Sequence, residues 1–320
     1  MSSVILSTGS ALPKQVITND DLAQRVDTSD EWIFSRTGIK SRHIAEKGEY
    51  TSTLATAAAK DALKNANLDA DELDLIIVAT TTPDYSFPSV ACQVQGALGV
   101  KNFPAFDIQA ACTGFLYAMQ LADNMLKLGQ AKNALIIGAE TFSNLVNWDD
   151  RRTCVLFGDG AGAVLLQNRP EAEQGIVGMK LSADGEHVDI LRTDTGISVG
   201  RKLGTTQMKG QEVFKLAVRN MSEVSTSLLK ELGVKPEDVD YFIPHQANSR
   251  IIEAIAKHAG IPMEKVIMTV SEHANTSAAS IPLALDKTAK SGILAKDDML
   301  FLLAFGAGLT WGGALIKWGY

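Results

Sequence analysis

Runs of apolar residues, bounded by polar or turn residues, recur along the chain and repeat when the sequence is shifted against itself by 166 residues. The runs Leu75–Ala79 and Tyr241–Pro244 each follow a short acidic segment, and runs at 134–138 and 299–303 follow at corresponding places. Near-continuous apolar runs of this length indicate buried strands covered by helices. The pattern therefore predicts an α/β chain built from a duplicated unit of strand, helix and strand.

The duplication divides the chain into an N-terminal half, residues 1–170, and a C-terminal half, residues 171–320, which we expect to pack as one body. Each copy contains an apolar helix that stops at a glycine, Gly129 or Gly292. Cys112 opens the first of these helices and Asn275 opens the second. Two copies facing each other would bring both helix N-termini close to a pseudo-twofold axis, with Cys112 and Asn275 as partners.

Cys112 lies in Ala-Ala-Cys-Thr-Gly-Phe, residues 110–115. A thiol at a helix N-terminus is surrounded by unpaired backbone N–H groups and the positive end of the dipole, which favour the thiolate and lower the pKa of the thiol. This position predicts a nucleophile. An unaccompanied cysteine is about as often a small buried apolar residue.

Two polar segments accompany the cysteine, and they begin at His245 and near Asn275. His245 follows an apolar strand at its carboxyl end, where the sites of open α/β sheets lie. Cysteine, histidine and asparagine are the residue types that activate a thiol and polarise a carbonyl. Taken singly, such a histidine is more often structural and such an asparagine more often a helix cap, but the repeat favours a common site.

Composition excludes several classes of protein. Three cysteines without paired spacing argue against a disulfide framework and for a reducing cytoplasm, with Cys92 and Cys154 interpreted as packing residues. The N-terminus has no signal-peptide pattern. A net charge of −7 disfavours nucleic-acid binding.

Two segments invite interpretations that their details oppose. Residues 299–316 carry no charge and reach the length of a membrane span, but four glycines interrupt them and the repeat assigns them to two buried strands. The glycine-rich segment 157–162 lacks the dinucleotide-binding spacing and precedes a strand rather than a helix. We expect neither a membrane span nor a dinucleotide site.

Five motifs together resemble one family across essentially the whole chain. They are Ala111-Cys-Thr-Gly-Phe, Phe157-Gly-Asp-Gly-Ala-Gly-Ala, His245-Gln-Ala-Asn, Asn275-Thr-Ser-Ala-Ala-Ser-Ile-Pro and Phe305-Gly-Ala-Gly-Leu-Thr-Trp-Gly. They resemble the 3-oxoacyl-acyl-carrier-protein synthase III family of thiolase-fold condensing enzymes. The Cys-His-Asn set separates this family from the elongating synthases, and Asn275-Thr-Ser argues against a thiolase. The resemblance implies an α/β, thiolase-like fold with two pseudo-symmetric halves in a five-layered αβαβα arrangement.

The resemblance also implies a reaction: decarboxylative condensation of a short-chain acyl-CoA, acetyl-CoA above all, with malonyl-acyl carrier protein, initiating type II fatty-acid synthesis. Cys112 would carry the acyl group, and His245 and Asn275 would donate hydrogen bonds to the enolate. The backbone amides of Cys112 and Ala307 would form the oxyanion hole, with alanine at 307 where many relatives have glycine. No metal or redox cofactor is expected.

Binding residues follow from the same resemblance. The residues expected to contact coenzyme A are Thr28, Trp32, Arg36, Arg151, Phe214, Ala247 and Asn248. The acyl pocket would be formed by Phe87, Phe142 and Phe157, with Phe87 contributed across a homodimer. The alternative is that Trp32 packs in a helix and that the arginines are solvated.

An acidic enzyme that accepts an acidic carrier protein needs a local basic face. Arg250 and Lys257 lie seven residues apart on one predicted helix, and Lys215 and Arg219 lie four apart on another. We predict that these four residues dock the carrier protein. The alternative is an ordinary solvated helix surface.

Three further functions stay open at this stage. A related condensing enzyme or acyltransferase of secondary metabolism would use the same residues with a different acceptor. A non-catalytic carrier-binding scaffold has no need of an intact Cys-His-Asn set. A cysteine hydrolase would need a lid or a water-activating carboxylate, which the motifs do not indicate.

Overall fold

The computed structural model describes residues 3–320 as two similar sets of strands and helices. The first set is β1 (Ser3–Ala11), β2 (Gln15–Thr18), α1 (Asn19–Ala23), α2 (Asp30–Thr37), β3 (Ser41–Ile44), α3 (Thr51–Ala66), β4 (Leu75–Ala79), α4 (Val90–Ala97), β5 (Ala105–Ile108), α5 (Gly114–Lys127), β6 (Asn133–Glu140) and β7 (Gly160–Asn168). The second set is β8 (Gly175–Ala183), β9 (Leu191–Thr193), α6 (Ile197–Gly200), β10 (Thr206–Met208), α7 (Gly210–Leu232), β11 (Tyr241–Pro244), α8 (Ser249–Ala259), α9 (Val270–His273), α10 (Ser280–Lys290), β12 (Met299–Gly306) and β13 (Thr310–Lys317).

Each set forms one main sheet, and the two sheets have corresponding strand orders. The first sheet runs β1-β7-β6-β4-β5 and the second runs β8-β13-β12-β11. The pair β6 with β4 and the corresponding pair β12 with β11 are parallel, and the remaining corresponding pairs are antiparallel. The predicted duplication is therefore confirmed at the level of strand order. The proposed boundary between residues 170 and 171 lies in the connection between β7 and β8.

The sheets and helices alternate in five layers. Helices α3 and α4 pack on the outer face of the first sheet. Helix α7 packs on the second sheet, and α8 lies beside α7 and shares its buried cluster. Helices α5 and α10 lie between the sheets and contact strands of both. The apolar faces of this central layer form one continuous buried cluster with both sheets, so the two halves share a core.

The central helices begin side by side. A 3₁₀ turn, Ala111–Thr113, leads into α5, and a second, Ser277–Ala279, leads into α10. The two turns contact each other. Ala111, Ala274 and Ser277 have left-handed backbone conformations, with φ of 46°, 55° and 49°. Such conformations are strained for residues other than glycine and occur preferentially at functional sites.

The glycine at 138 permits this close approach of the halves. A Cβ atom at Gly138, on β6, would lie 2.2 Å from the backbone oxygen of Ala278, in the turn before α10. Real side-chain carbons do not approach a backbone oxygen so closely. The absence of a side chain at this position therefore sets the distance between the first sheet and the second helix N-terminus.

Residues 299–316 form the antiparallel pair β12 and β13, as predicted. Within residues 3–320, no helix is both long and apolar enough to cross a membrane. Cys154 is fully buried, but the prediction for Cys92 was wrong, because Cys92 lies on the exposed side of α4.

Candidate active site

A cavity of about 1470 Å³ opens between the two halves and reaches the N-termini of α5 and α10. Its walls include the three residues that the sequence predicted to act together, Cys112, His245 and Asn275. Cys112 comes from the first half and the other two residues come from the second. The fold therefore brings Cys112 together with two side chains that lie more than a hundred residues from it in the sequence.

Cys112 lies in the 3₁₀ turn before α5 and is 9 % exposed. Its thiol donates to the Ser277 hydroxyl over 3.6 Å. Burial raises the pKa of the Cys112 thiol to about 12, and the charge of Glu140 acts in the same direction, against the Ser277 hydrogen bond. The sequence predicted a lowered pKa for this thiol, and that expectation was wrong for the free protein, because desolvation outweighs the helix N-terminus.

Glu140, at the end of β6, is a buried carboxylate that the sequence analysis did not identify. It accepts hydrogen bonds from the Thr82 hydroxyl at 2.5 Å and from the Thr81 amide at 3.1 Å. Burial raises the pKa of Glu140 to about 7, although hydrogen bonds from Thr82, Thr81 and Ser277 oppose this. Ser277 thus connects the carboxylate to the thiol of Cys112.

His245 follows β11 directly, and its backbone amide continues the parallel pairing by donating to the Leu303 carbonyl over 2.7 Å. The ring is buried, and Nδ1 lies 2.5 Å from the Ser280 hydroxyl oxygen at the start of α10. Desolvation lowers the pKa of His245 to about 3. The imidazole is therefore neutral at physiological pH and carries one N–H group.

Asn275 is held by its backbone and by its amide oxygen. The backbone amide donates to Leu156 O over 2.9 Å, and Gly158 N donates to Asn275 O over 3.0 Å. The side-chain Oδ1 accepts from the Ser277 amide at 2.9 Å. Because Oδ1 is occupied, the Nδ2 group is the side-chain donor that remains for a ligand in the cavity.

The predicted oxyanion hole lies where the loop after β12 meets the cysteine turn. A Cβ atom at Gly306 would lie 2.9 Å from Cys112 N, so only glycine permits this contact. The next residue, Ala307, lines the cavity. Within residues 3–320, neither the Cys112 amide nor the Ala307 amide donates to another backbone carbonyl, so both N–H groups are available to a ligand oxygen.

The cavity mouth carries the aromatic residue predicted for coenzyme A. Two guanidinium groups flank the Trp32 ring, Arg36 at 4.7 Å and Arg151 at 5.2 Å from its centroid. The predicted residues that line the cavity are Trp32, Arg36, Phe214, Ala247 and Asn248. Arg151 lies outside the cavity wall and is paired with Asp27 at 3.1 Å. Thr28 is also outside the cavity wall, and Asn248 additionally caps α8.

The inner wall contains two of the three predicted acyl-pocket residues. Phe142 and Phe157 line the cavity and stack on each other with ring centroids 4.2 Å apart. Phe87 does not line the cavity of its own chain and is 85 % exposed.

The four predicted docking residues are exposed, on α7 and α8. Arg250 reaches the cavity mouth and donates to Ser35 O over 3.2 Å. Lys215, Arg219 and Lys257 lie outside the cavity wall. Three basic residues that were not predicted, Arg152, Arg192 and Lys202, also line the cavity, and Arg152 pairs with Asp150.

The fold and this set of cavity residues define an α/β condensing enzyme of the thiolase-like class. The family models for 3-oxoacyl-[acyl-carrier-protein] synthase III and for its C-terminal region match residues 106–185 and 229–318. The beta-ketoacyl-[acyl-carrier-protein] synthases III of Rhodospirillum centenum and Rhizorhabdus wittichii are 52 % and 50 % identical to this chain, each covering 99 % of both chains. The crystal structure of 3-oxoacyl-[acyl-carrier-protein] synthase III from Aquifex aeolicus has a TM-score of 0.94 at 51 % identity, covering 99 % of this chain and 100 % of that chain. This chain belongs to the 3-oxoacyl-acyl-carrier-protein synthase III family.

Proposed function

We propose that the protein condenses a short-chain acyl-CoA with malonyl-acyl carrier protein, giving 3-oxoacyl-acyl carrier protein, carbon dioxide and coenzyme A. The convergence of Cys112, His245 and Asn275 on one cavity between the halves supports this function most strongly. Family membership supports the same reaction. The reaction would begin type II fatty-acid synthesis.

In the first stage the Cys112 sulfur attacks the acyl-CoA thioester. The C–S bond to coenzyme A breaks, and the thiol proton of Cys112 ends on the departing coenzyme A sulfur. The amides of Cys112 and Ala307 are the proposed donors to the tetrahedral oxyanion, and the loss of one such donor typically costs about 10²–10³ in rate. Because burial raises the pKa of the Cys112 thiol, the sulfur is protonated in the free protein.

In the second stage malonyl-acyl carrier protein loses carbon dioxide and its enolate attacks the acyl carbon on Cys112. The bond to sulfur breaks, and Cys112 takes up a proton. His245 and the Asn275 Nδ2 group are the proposed donors to the enolate oxygen. Both groups are neutral donors, so this stage needs no metal or redox cofactor.

For substrate delivery, we propose that Trp32 and the arginines beside it hold the nucleotide of coenzyme A, with Arg151 and Thr28 acting from behind the cavity wall. Cation–π pairs fix the indole ring, and the guanidinium groups suit phosphate. Phe214, Ala247 and Asn248 would contact the pantetheine chain. Arg250 is the docking residue that the geometry favours, since it is exposed at the mouth.

We further propose a homodimer in the cytoplasm. Phe87 and the nearby Tyr85 are both largely exposed, and a partner chain that covers Phe87 would use this side chain to close the acyl pocket of the other subunit. Three unpaired cysteines suit a reducing compartment.

The test is intact-protein mass spectrometry after incubation with a panel of acyl-CoA thioesters, followed by a chase with malonyl-acyl carrier protein. We expect one acyl group on the wild type, none on the Cys112→Ala variant, and discharge as a 3-oxoacyl carrier. Acylation without discharge would favour the second candidate, a condensing enzyme with a different acceptor. No acylation by any thioester would contradict the assignment of Cys112.

Carrier docking has a separate test. We expect Arg250→Glu to raise the KM for malonyl-acyl carrier protein and to leave acylation by acyl-CoA nearly unchanged. Lys257→Glu, on the same helix but outside the cavity wall, is the comparison. Unchanged carrier-dependent turnover in Arg250→Glu would remove Arg250 from the dock.

A further inference from the structure

Ser280 is buried beside His245, and the proposed reaction gives this serine no role. It is the first residue of α10 and is 2 % exposed. Its hydroxyl oxygen lies 2.5 Å from His245 Nδ1, a short hydrogen bond between different elements of the second half. The Gln246 amide approaches the same oxygen at 3.4 Å. Ser280 therefore meets His245 on the side of the ring away from its other nitrogen.

The hydrogen bonds around the Ser280 hydroxyl oxygen differ between the two neutral forms of the His245 imidazole. If the hydrogen is on Nε2, the Ser280 hydroxyl donates to Nδ1 and accepts from the Gln246 amide, so every group is paired. If the hydrogen is on Nδ1, two N–H groups point at the Ser280 oxygen. The hydroxyl hydrogen of Ser280 then has no acceptor, because His245 Nδ1 is the one acceptor for it within residues 3–320. A buried donor without an acceptor is unfavourable.

The residue next to His245 fixes the geometry of this contact. Gln246 is fully buried and donates from Nε2 to Pro244 O at 2.8 Å, while its Oε1 accepts from Thr269 N at 2.7 Å. These bonds tie the end of β11 to the segment before α9. The His245 backbone is therefore held in place, and the ring itself is held by its contact with Ser280.

We infer that Ser280 is a positioning residue that holds neutral His245 in the form with its hydrogen on Nε2. In this form Nε2–H is the ring donor that remains for an oxygen in the cavity. The inference rests on the proposed function, because a donor to the enolate oxygen is what that function requires of His245. Ser280 thus orients the ring as a carboxylate does beside the histidine of other enzymes, but it donates to Nδ1 instead of accepting from it and therefore favours the opposite neutral form.

The first test is independent of activity. Long-range ¹H–¹⁵N correlation spectra of protein labelled with ¹⁵N-histidine, with His245→Asn used for assignment, report which ring nitrogen carries the hydrogen. We expect the Nε2–H form in the wild type and a shift toward the Nδ1–H form in Ser280→Ala. A wild-type ring protonated on Nδ1 would overturn the inference, whatever the variant does.

The second test separates the two stages of the reaction. We expect Ser280→Ala to slow the malonyl-acyl carrier protein chase by about 10–100-fold, as orienting partners of histidines do elsewhere, and to leave Cys112 acylation nearly unchanged. Ser280→Cys, with a weaker donor, should fall between Ser280→Ala and the wild type. An equal loss in both stages would indicate a structural role and would contradict the inference.

A matched control is available on the same helix. Thr288 is buried and donates to Ala284 O within α10 at 2.7 Å, so Thr288→Val removes a buried hydroxyl that does not contact His245. We expect this variant to leave the chase rate and the His245 spectrum unchanged. If the wild type fails to acylate Cys112, the proposed function fails while the spectrum still decides the role of Ser280.

Discussion

The two halves have the same strand order, and each contributes one helix to the central layer. The starts of these two helices, α5 and α10, differ by about one turn relative to Cys112 and Asn275. Cys112 lies inside the 3₁₀ turn that leads directly into α5. Asn275 lies two residues before the corresponding turn, so α10 begins about one turn later relative to it. The helices end alike, at Gly129 and Gly292 with left-handed backbones.

The 3₁₀ turn between Asn275 and α10, Ser277–Ala279, supplies polar contacts of the site. Ser277, within that turn, holds the oxygen of Asn275 by its amide and meets the thiol of Cys112 by its hydroxyl. Ser280, at its end, meets His245. A symmetric scaffold thus brings two helix N-termini together, and a local asymmetry gives one a nucleophile and the other hydrogen-bond donors.

The largest expected effect comes from removing the nucleophile of the first half. Cys112→Ala should reduce condensation by at least about 10³-fold, since the acyl intermediate cannot form. Decarboxylation of malonyl-acyl carrier protein should persist, because its donors lie in the second half. Radiometric carbon dioxide release measures this, with Cys92→Ala as the control. Loss of both condensation and decarboxylation would show that decarboxylation also requires the first half.

A stability comparison uses equivalent strand positions in the two sheets. Gly138→Ala should destabilise the fold by about 3 kcal/mol or more, because the new methyl group would meet the Ala278 carbonyl. Ala304→Gly, at the equivalent position of β12, should cost about 1 kcal/mol. Urea unfolding measures both. Similar losses would mean that the halves do not approach each other as described.

The pH dependence of stability tests the buried carboxylate of the first half. The folded pKa of Glu140, about 7, lies above its ordinary value of 4.5. Its contribution to stability is therefore full below about pH 4.5 and is lost as the pH rises through about 7. Glu140→Gln should remove about 2–3 kcal/mol of this pH dependence.

Urea unfolding between about pH 5 and pH 8 measures the Glu140 effect. Glu223→Gln, which changes an exposed carboxylate on α7, should keep the wild-type dependence. An unchanged pH slope in Glu140→Gln would contradict the burial of this carboxylate in its charged form.

The smallest effect concerns the cavity mouth. Trp32→Ala removes the ring between two guanidinium groups, and the KM for acyl-CoA should rise several-fold, as expected for about 1 kcal/mol. Phe34→Ala, on the same helix and stacked on Lys40, is the control because Phe34 does not line the cavity. Equal changes in both variants would point to the stability of α2 rather than to substrate contact.

Apolar periodicity was sufficient to predict the strands and the duplication. It predicted that Asn275 opens its helix as Cys112 does, and this was wrong, because α10 begins only at Ser280. It could not identify Glu140, Ser277 or Ser280, which are single polar residues within or beside apolar runs. It also failed for the pKa of Cys112. Desolvation of the thiol depends on how closely the second half covers it. The sequence pattern of a helix N-terminus does not show how deeply the thiol is buried.

The central claim is that the first half accepts the acyl group and the second half activates the malonyl group. The direct test is the acyl-Cys112 signal of Asn275→Ala by intact mass spectrometry, before and after the malonyl-acyl carrier protein chase. We predict normal acylation and an acyl group that survives the chase about 10²–10³ times longer than in the wild type. Discharge at the wild-type rate would contradict the claim.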